Sequence, residues 1–211
     1  SMNKGDGNAS TNTSYFGFIN YRPSKKLSLS LAPEYSYGWQ KLQYVSNPEW
    51  TGPARYVDAS INRKSYELSI RAEYSFTPEL TIQYYGRPYL SSVKYYDYKY
   101  ITNPQANNFS NRFEQYTDQQ YNYNSENEEY DVDENGDHVT DYSFPKRDQN
   151  YLDFQSTMIA RWEYRPGSTL FFVWTMSKQD FYQSASTSVG NDVDNLFESH
   201  PQNIFLVKFS Y

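Results

Sequence analysis

The sequence predicts an all-β chain, an antiparallel up-and-down meander of long amphipathic strands. Three observations predict it. Aromatics make up 19% of the 211 residues, with 24 Tyr, while Leu, Ile and Val are scarce. That suits strands better than the aliphatic stripes of helical bundles or α/β folds. Apolar and polar residues alternate with period two over unusually long stretches, and the links between these stretches are alternately short and long.

The strands lie near 14–21, 27–39, 64–76, 80–93, 152–164, 169–179 and 203–211. In LSLSLAPEYSYGW, Leu27, Leu29, Leu31, Pro33, Tyr35, Tyr37 and Trp39 share one face, with Ser28, Ser30, Ala32, Glu34, Ser36 and Gly38 on the other. Successive side chains of a strand point to opposite faces, which gives this division. SYELSIRAEYSF sets Tyr66, Leu68, Ile70, Ala72, Tyr74 and Phe76 against Glu67, Ser69, Arg71, Glu73 and Ser75. LTIQYYGRPYL sets Leu80, Ile82, Tyr84, Pro88 and Leu90 against Thr81, Gln83, Tyr85 and Arg87. LDFQSTMIARWEY sets Leu152, Phe154, Met158, Ala160, Trp162 and Tyr164 against Asp153, Gln155, Thr157, Arg161 and Glu163. The next strand carries Leu170, Phe172, Trp174 and Met176 on its apolar face, and the last carries Phe205, Val207, Phe209 and Tyr211. No charge breaks the apolar face of any of the first four of these stretches.

Strands of soluble sandwiches usually run about 5–6 residues, whereas a tilted membrane-spanning strand needs about 9–11. The short links are RPSKK, TPE and RPGS; the long ones, residues 40–63, 94–151 and 180–202, are very polar. Tight turns on one rim and long loops on the other are the pattern of an outer-membrane β-barrel. The chain is therefore expected to be the C-terminal part of a transmembrane barrel in a bacterial outer membrane, with lipid against its apolar face. Residues 1–13 read as a polar outer-loop segment, with Ser1-Met2 in the form of a cloning remnant, and 14–211 as the barrel segment. With 1–13 outside, the crossings bring Tyr211 to the periplasm.

The faces assign candidate roles. Tyr37, Trp39, Tyr74, Trp162, Tyr164 and Trp174 are expected to form the lipid-facing aromatic girdle, where an apolar ring meets a wet headgroup layer. Tyr74 and Tyr164 fall at the short-turn rim, with Tyr37, Trp39 and Trp174 nearer the outer one. Arg71, Glu73, Arg87, Arg161 and Glu163 are expected to form a polar network in the lumen, read either as structural pairing or as pore selectivity. The terminal NIFLVKFSY resembles the signal by which the barrel-assembly machinery recognises its clients.

The blocks LQYVSNPEW, RAEYSFTPELTIQYYGRPY, DVDENGD, DYSF, ARWEYRPGSTLFFVWT and NIFLVKFSY together resemble the C-terminal barrel of a Bacteroidetes family of outer-membrane proteins of unknown function. Full-length members carry an N-terminal domain similar to family 9 carbohydrate-binding modules. The resemblance covers the chain from about Tyr15 onward. It implies the last part of a larger protein, with the sugar-binding module elsewhere.

Other chemistry is sparse. In DVDENGD, Asp131, Asp133, Asn135 and Asp137 offer oxygens near the spacing of a calcium loop, with Gly136 for the turn, although the closing Glu is missing. Calcium is the only cofactor suggested; a solvated acidic loop is the alternative. The Tyr- and Asn-rich loop 95–150 suits glycan stacking and hydrogen bonding, as it suits any long outer loop of so Tyr-rich a chain. The histidines, His138 and His200, are too few for a zinc triad, and Glu128, Glu129 and Glu134 are too clustered for a glycosidase acid pair. No catalysis is expected in this segment. There is no Cys, so no disulfide or thiolate site, and a net charge of −6 gives no footprint for nucleic acid. The leading function is a membrane anchor and pore wall, or a platform presenting outer loops. The alternatives are a calcium-ordered glycan-binding surface and a soluble all-β domain of a carbohydrate-active hydrolase.

Overall fold

The computed structural model describes residues 2–4 and 9–211; residues 1 and 5–8, part of the segment read as a polar outer loop, lie outside the described residues. Among the described residues, thirteen strands and one α-helix follow one another. The first six are β1 (Met2–Lys4), β2 (Ser10–Phe16), β3 (Ile19–Tyr21), β4 (Leu27–Ser46), β5 (Val57–Ser75) and β6 (Leu80–Ile101). Four short strands come next: β7 (Phe113–Gln115), β8 (Tyr121–Asn124), β9 (Glu129–Val132) and β10 (Tyr142–Pro145). The chain ends with β11 (Gln149–Arg165), β12 (Ser168–Tyr182), α1 (Val189–Glu198) and β13 (Gln202–Ser210).

All the long strands are antiparallel neighbours in one ten-stranded sheet, ordered β1-β2-β4-β5-β6-β11-β12-β13, with β3 against β4 and β7 against β6. The path does not close among the described residues. Each strand expected from the alternation is present. The first is split at Gly17 and Phe18 into β2 and β3, and it begins at Ser10, inside the segment read as loop.

Short turns are written locally. Ser24 Oγ accepts the N–H groups of Lys26 and Leu27, both at 3.2 Å. Thr77 Oγ1 does the same for Glu79 at 3.2 Å and Leu80 at 3.1 Å. Such hydroxyl turns satisfy amides that a reversing chain would leave open. Between β11 and β12, Pro166 presets its own φ and Gly167 takes φ +81°, a conformation that favours glycine.

The long links are shorter than expected because β4, β5 and β6 run on past the apolar face, to 20, 19 and 22 residues. Residues 47–56, 102–148 and 183–201 remain as links. In the middle link β8, β9 and β10 form a second, three-stranded sheet. It packs on the far ends of β4–β6 around Val45, Val57, Ala59, Tyr98, Tyr116, Val132, Tyr142 and Phe144, all buried. This aromatic cap is the larger core. A smaller one lies where α1 covers Leu90, Leu152 and Phe154 with Leu196. Those three sheet residues were read as lipid-facing; the helix, which period-two alternation could not announce, takes that place on the sheet.

Candidate functional site

The register carries the two-faced pattern across strands. Leu31 pairs Ile70, and Ile70 pairs Gly86; Pro33 pairs Leu68; Tyr35 pairs Tyr66, which pairs Leu90, which pairs Leu152. Further along, Met158 pairs Trp174, which pairs Phe205. Cross-strand neighbours lie on one side of a sheet, so the apolar faces join into a continuous belt. From Leu27–Tyr35 on β4 across β5, β6 and β11 no Asp, Glu, Lys or Arg occurs on that face; on β12 the charge-free part is Leu170–Met176, beyond which Lys178 and Asp180 pair Phe154 and Leu152. The sheet is a single layer here, and much of the belt is bare: Phe205 is 63% exposed, Phe209 67% and Trp162 49%.

The expected girdle residues sit on this side. Tyr74 and Trp162 are exposed near the short turns, and Tyr164 lies edge-on to Trp162 at 6.0 Å. Tyr37 and Trp39 end the belt at the long-link side, pairing Lys64 and Asn62. Trp174 stacks on Phe205 at 6.2 Å and donates to Asn203 Oδ1 at 2.8 Å. Its register row contains Met158, Tyr84, Ala72 and Leu29, within the belt rather than at its outer end.

The five residues expected in the lumen share the opposite face, and four of them form three separate contacts. Arg87 makes a two-pronged ion pair with Glu67, both bonds at 2.7 Å. Arg161 pairs with Glu163 on its own strand at 3.2 Å, and Arg71 lies over the Tyr85 ring at 5.1 Å. Glu73 joins Arg71, Gln83, Tyr85, Thr157 and Ser28 around a polar cleft of about 320 Å³. Glu67 was on the polar face of the sequence pattern; its partnership with Arg87 needs the register of two strands. Such a mixed-charge face can bind water and small polar solutes. His138 is in an exposed turn, away from this cleft, and His200 borders a separate one with Asp153 and Gln179.

The cap is held by a group that sequence reading did not connect. Arg55 donates two hydrogen bonds to Glu134, at 2.7 and 2.9 Å, across 79 residues of chain. Its guanidinium lies over the Tyr100 ring at 4.5 Å and the Trp50 ring at 5.4 Å. Tyr142 also donates to Glu134 and shares a 2.8 Å hydrogen bond with Tyr116. Burial pushes the Tyr100 hydroxyl, which donates to Glu114, up to about 12. Burial alone would raise Glu134, but the donors Arg55 and Tyr142 outweigh it and hold the carboxyl below its usual value.

A depressed carboxylate stabilises the fold above its unfolded value and loses that contribution as pH falls through the folded one. The Arg55–Glu134 clamp is thus expected to be complete above about pH 4.5 and to release in more acid solution. Glu134→Gln should mimic the release at neutral pH and cost the cap about 2 kcal/mol. Hydrogen exchange of residues 129–145 reads both effects; an unchanged exchange rate would remove the clamp from the account.

The acidic turn joins β9 to β10. Asp133 accepts backbone N–H groups from Gly136 (2.7 Å), Asp137 (3.2 Å) and His138 (2.8 Å). Its slight desolvation raises its pKa, but those three donors outweigh it and hold the carboxyl low. Asn135 accepts from Asp137 N–H, Asp137 accepts from Val139 N–H, and Asp131 accepts from Asn124 and Ser143 side chains. Oxygens expected around calcium are thus spent on amides and neighbours. Among the described residues no three His, Asp or Glu side chains are grouped as a metal site would need.

A family model described as "Domain of unknown function (DUF5916)" matches the chain over residues 2–127 and 99–211. No curated protein and no solved structure matches.

Proposed function

Because the chain belongs to the DUF5916 family, whose function is undefined, its role has to be read from its surfaces, and we propose that it is a wall segment of an outer-membrane β-barrel. In this reading the segment anchors a larger protein, lines a polar lumen and holds the aromatic cap outside as a platform. The observation that carries it is the uncovered apolar belt, spanning every long strand of a single-layer sheet and backed by a polar face with paired charges. Monomeric soluble proteins rarely expose contiguous apolar patches beyond a few hundred Å². A β-barrel in lipid requires this arrangement, apolar outward and polar inward with period two. The belt takes about nine residues of β4, β5, β6 and β11, from Leu27 to Tyr35 on β4, which fits the 9–11 that a tilted strand needs.

The resemblance to Bacteroidetes barrels that follow a module like family 9 carbohydrate-binding modules supports a role in carbohydrate binding or uptake by the whole protein. The exposed Tyr44, Tyr56 and Tyr123 around the cap are the groups a glycan would stack on. The discriminating experiment is membrane partition and heat-modifiable gel mobility of the intact protein carrying this segment. The expected result is extraction by detergent only, with faster migration before boiling than after. A soluble monomer would overturn the reading: the belt would then pack against another protein layer, as Leu152 already does against α1.

A further inference from the structure

We propose that the groove between α1 and the apolar face seats one acyl chain of an anionic lipid from the surrounding bilayer, with Lys64 as the cation for its headgroup. The inference rests on the membrane reading above and assigns a specific lipid site to that surface. The groove encloses about 520 Å³ and is lined by Tyr15, Tyr35, Leu68, Pro88, Val189 and Val193. That volume falls in the usual range of small-ligand pockets, roughly 300–1,000 Å³. Its acidic neighbours, Glu34 and Glu67, belong by alternation to the other face of the sheet, and Glu67 is engaged by Arg87.

Its position is that of a lipid interface. Tyr35, Tyr66, Leu90 and Leu152 form the last apolar row, which gives way to Asp180 on β12; the next row of that face is Tyr37, Lys64, Ser92 and Asn150. The groove therefore continues the belt and ends where polarity begins. Lys64 stands there exposed and makes no ion pair among the described residues. On α1, Val189, Val193 and Phe197 recur every fourth residue and remain 40%, 36% and 51% exposed. At 100° per residue Glu198 falls toward the far side of the helix and Asp194 on its flank, about 100° from the centre of that stripe. This is the pattern of a helix lying in an interface.

The groove wall is fixed. Asp192, buried, accepts from Asn150 Nδ2 at 2.7 Å and from the Ser186 hydroxyl, while Ser186 N–H donates to Ser92 Oγ at 2.8 Å. These bonds hold the helix against β6 and β11, so the space beneath it persists. A bilayer lipid can enter it from the side.

The test is native mass spectrometry of the full-length protein, delipidated in detergent and titrated with phosphatidylglycerol or phosphatidylcholine of the same chain length. The expected result is one phosphatidylglycerol retained per chain. Val193→Trp, which fills the groove from the helix, and Leu68→Trp, which fills it from the sheet, should each abolish that retention. Lys64→Gln should lower the preference for phosphatidylglycerol about fivefold. Exchange protection of residues 189–198 checks that α1 stays docked. If both Trp variants keep α1 docked and still retain the lipid, the site is wrong, and equal retention of the two lipids by the unmodified protein would remove Lys64 from it. Failure of the unmodified protein to partition into membranes sinks the barrel reading itself; partition without a retained lipid sinks only the groove.

Discussion

Phe144→Ala is expected to unfold the cap and leave the main sheet standing. Phe144 is fully buried, with ring centres of Tyr98, Tyr130 and Tyr116 at 4.9, 5.5 and 6.0 Å. Truncating such a Phe costs about 3–5 kcal/mol through lost transfer energy and the cavity left behind. The strands around it cannot absorb that loss. β8, β9 and β10 have four residues each, and so small a sheet has no stability apart from the core it covers. Hydrogen exchange should therefore speed up across 113–145 while the β5–β6–β11 ladder stays protected. Simultaneous loss of both regions would show instead that cap and sheet unfold as one unit.

Ile70→Arg and Ser69→Arg, one residue apart on β5, should behave oppositely. Ile70 lies mid-belt between Leu31 and Gly86, and Ser69 points to the polar face opposite Ala32. On the barrel reading, an Arg at position 70 faces hydrocarbon near the bilayer centre and costs about 2–4 kcal/mol. At position 69 it joins a face that already holds Arg71 and Glu67, with an effect near zero. The readout is reversible unfolding of the intact protein in lipid vesicles. Equal effects at the two positions would contradict a lipid-facing belt.

The strands were legible because their information is local. Alternation such as Leu27, Leu29, Leu31 against Ser28, Ser30, Ala32 states both the element and its faces. The outer extensions were not. Past Trp39 the pattern slips at register shifts between Gln40 and Gln43 and between Tyr44 and Ser46, so the apolar residues leave their expected parity. Tyr, half apolar and half polar, built the cap core at 98, 116 and 142 and gave no sign of burial in sequence. α1 contains Gly190, Asn191, Asp194 and Asn195, weak helix formers, and is held by Asp192 and Leu196 packing on the sheet rather than by propensity. Arg55 and Glu134 meet only after the long middle link has folded back. The acidic turn resembled a metal loop because the oxygen spacing that serves a cation also serves a run of amides.

The overrun of β6 beyond the belt sets a stand-off distance. Residues 91–101 at about 3.3 Å each extend roughly 36 Å, and a tilt of about 45° leaves roughly 25 Å of height. A charge in salt water of physiological strength is felt over about 8 Å. On the barrel reading, Glu114 and Glu134, held at the Tyr100 end of β6, are therefore electrically blind to the lipid headgroups beneath them. Whatever meets the cap meets its own charges and aromatic rings, held clear of the membrane on three stiff strands rather than on a tether.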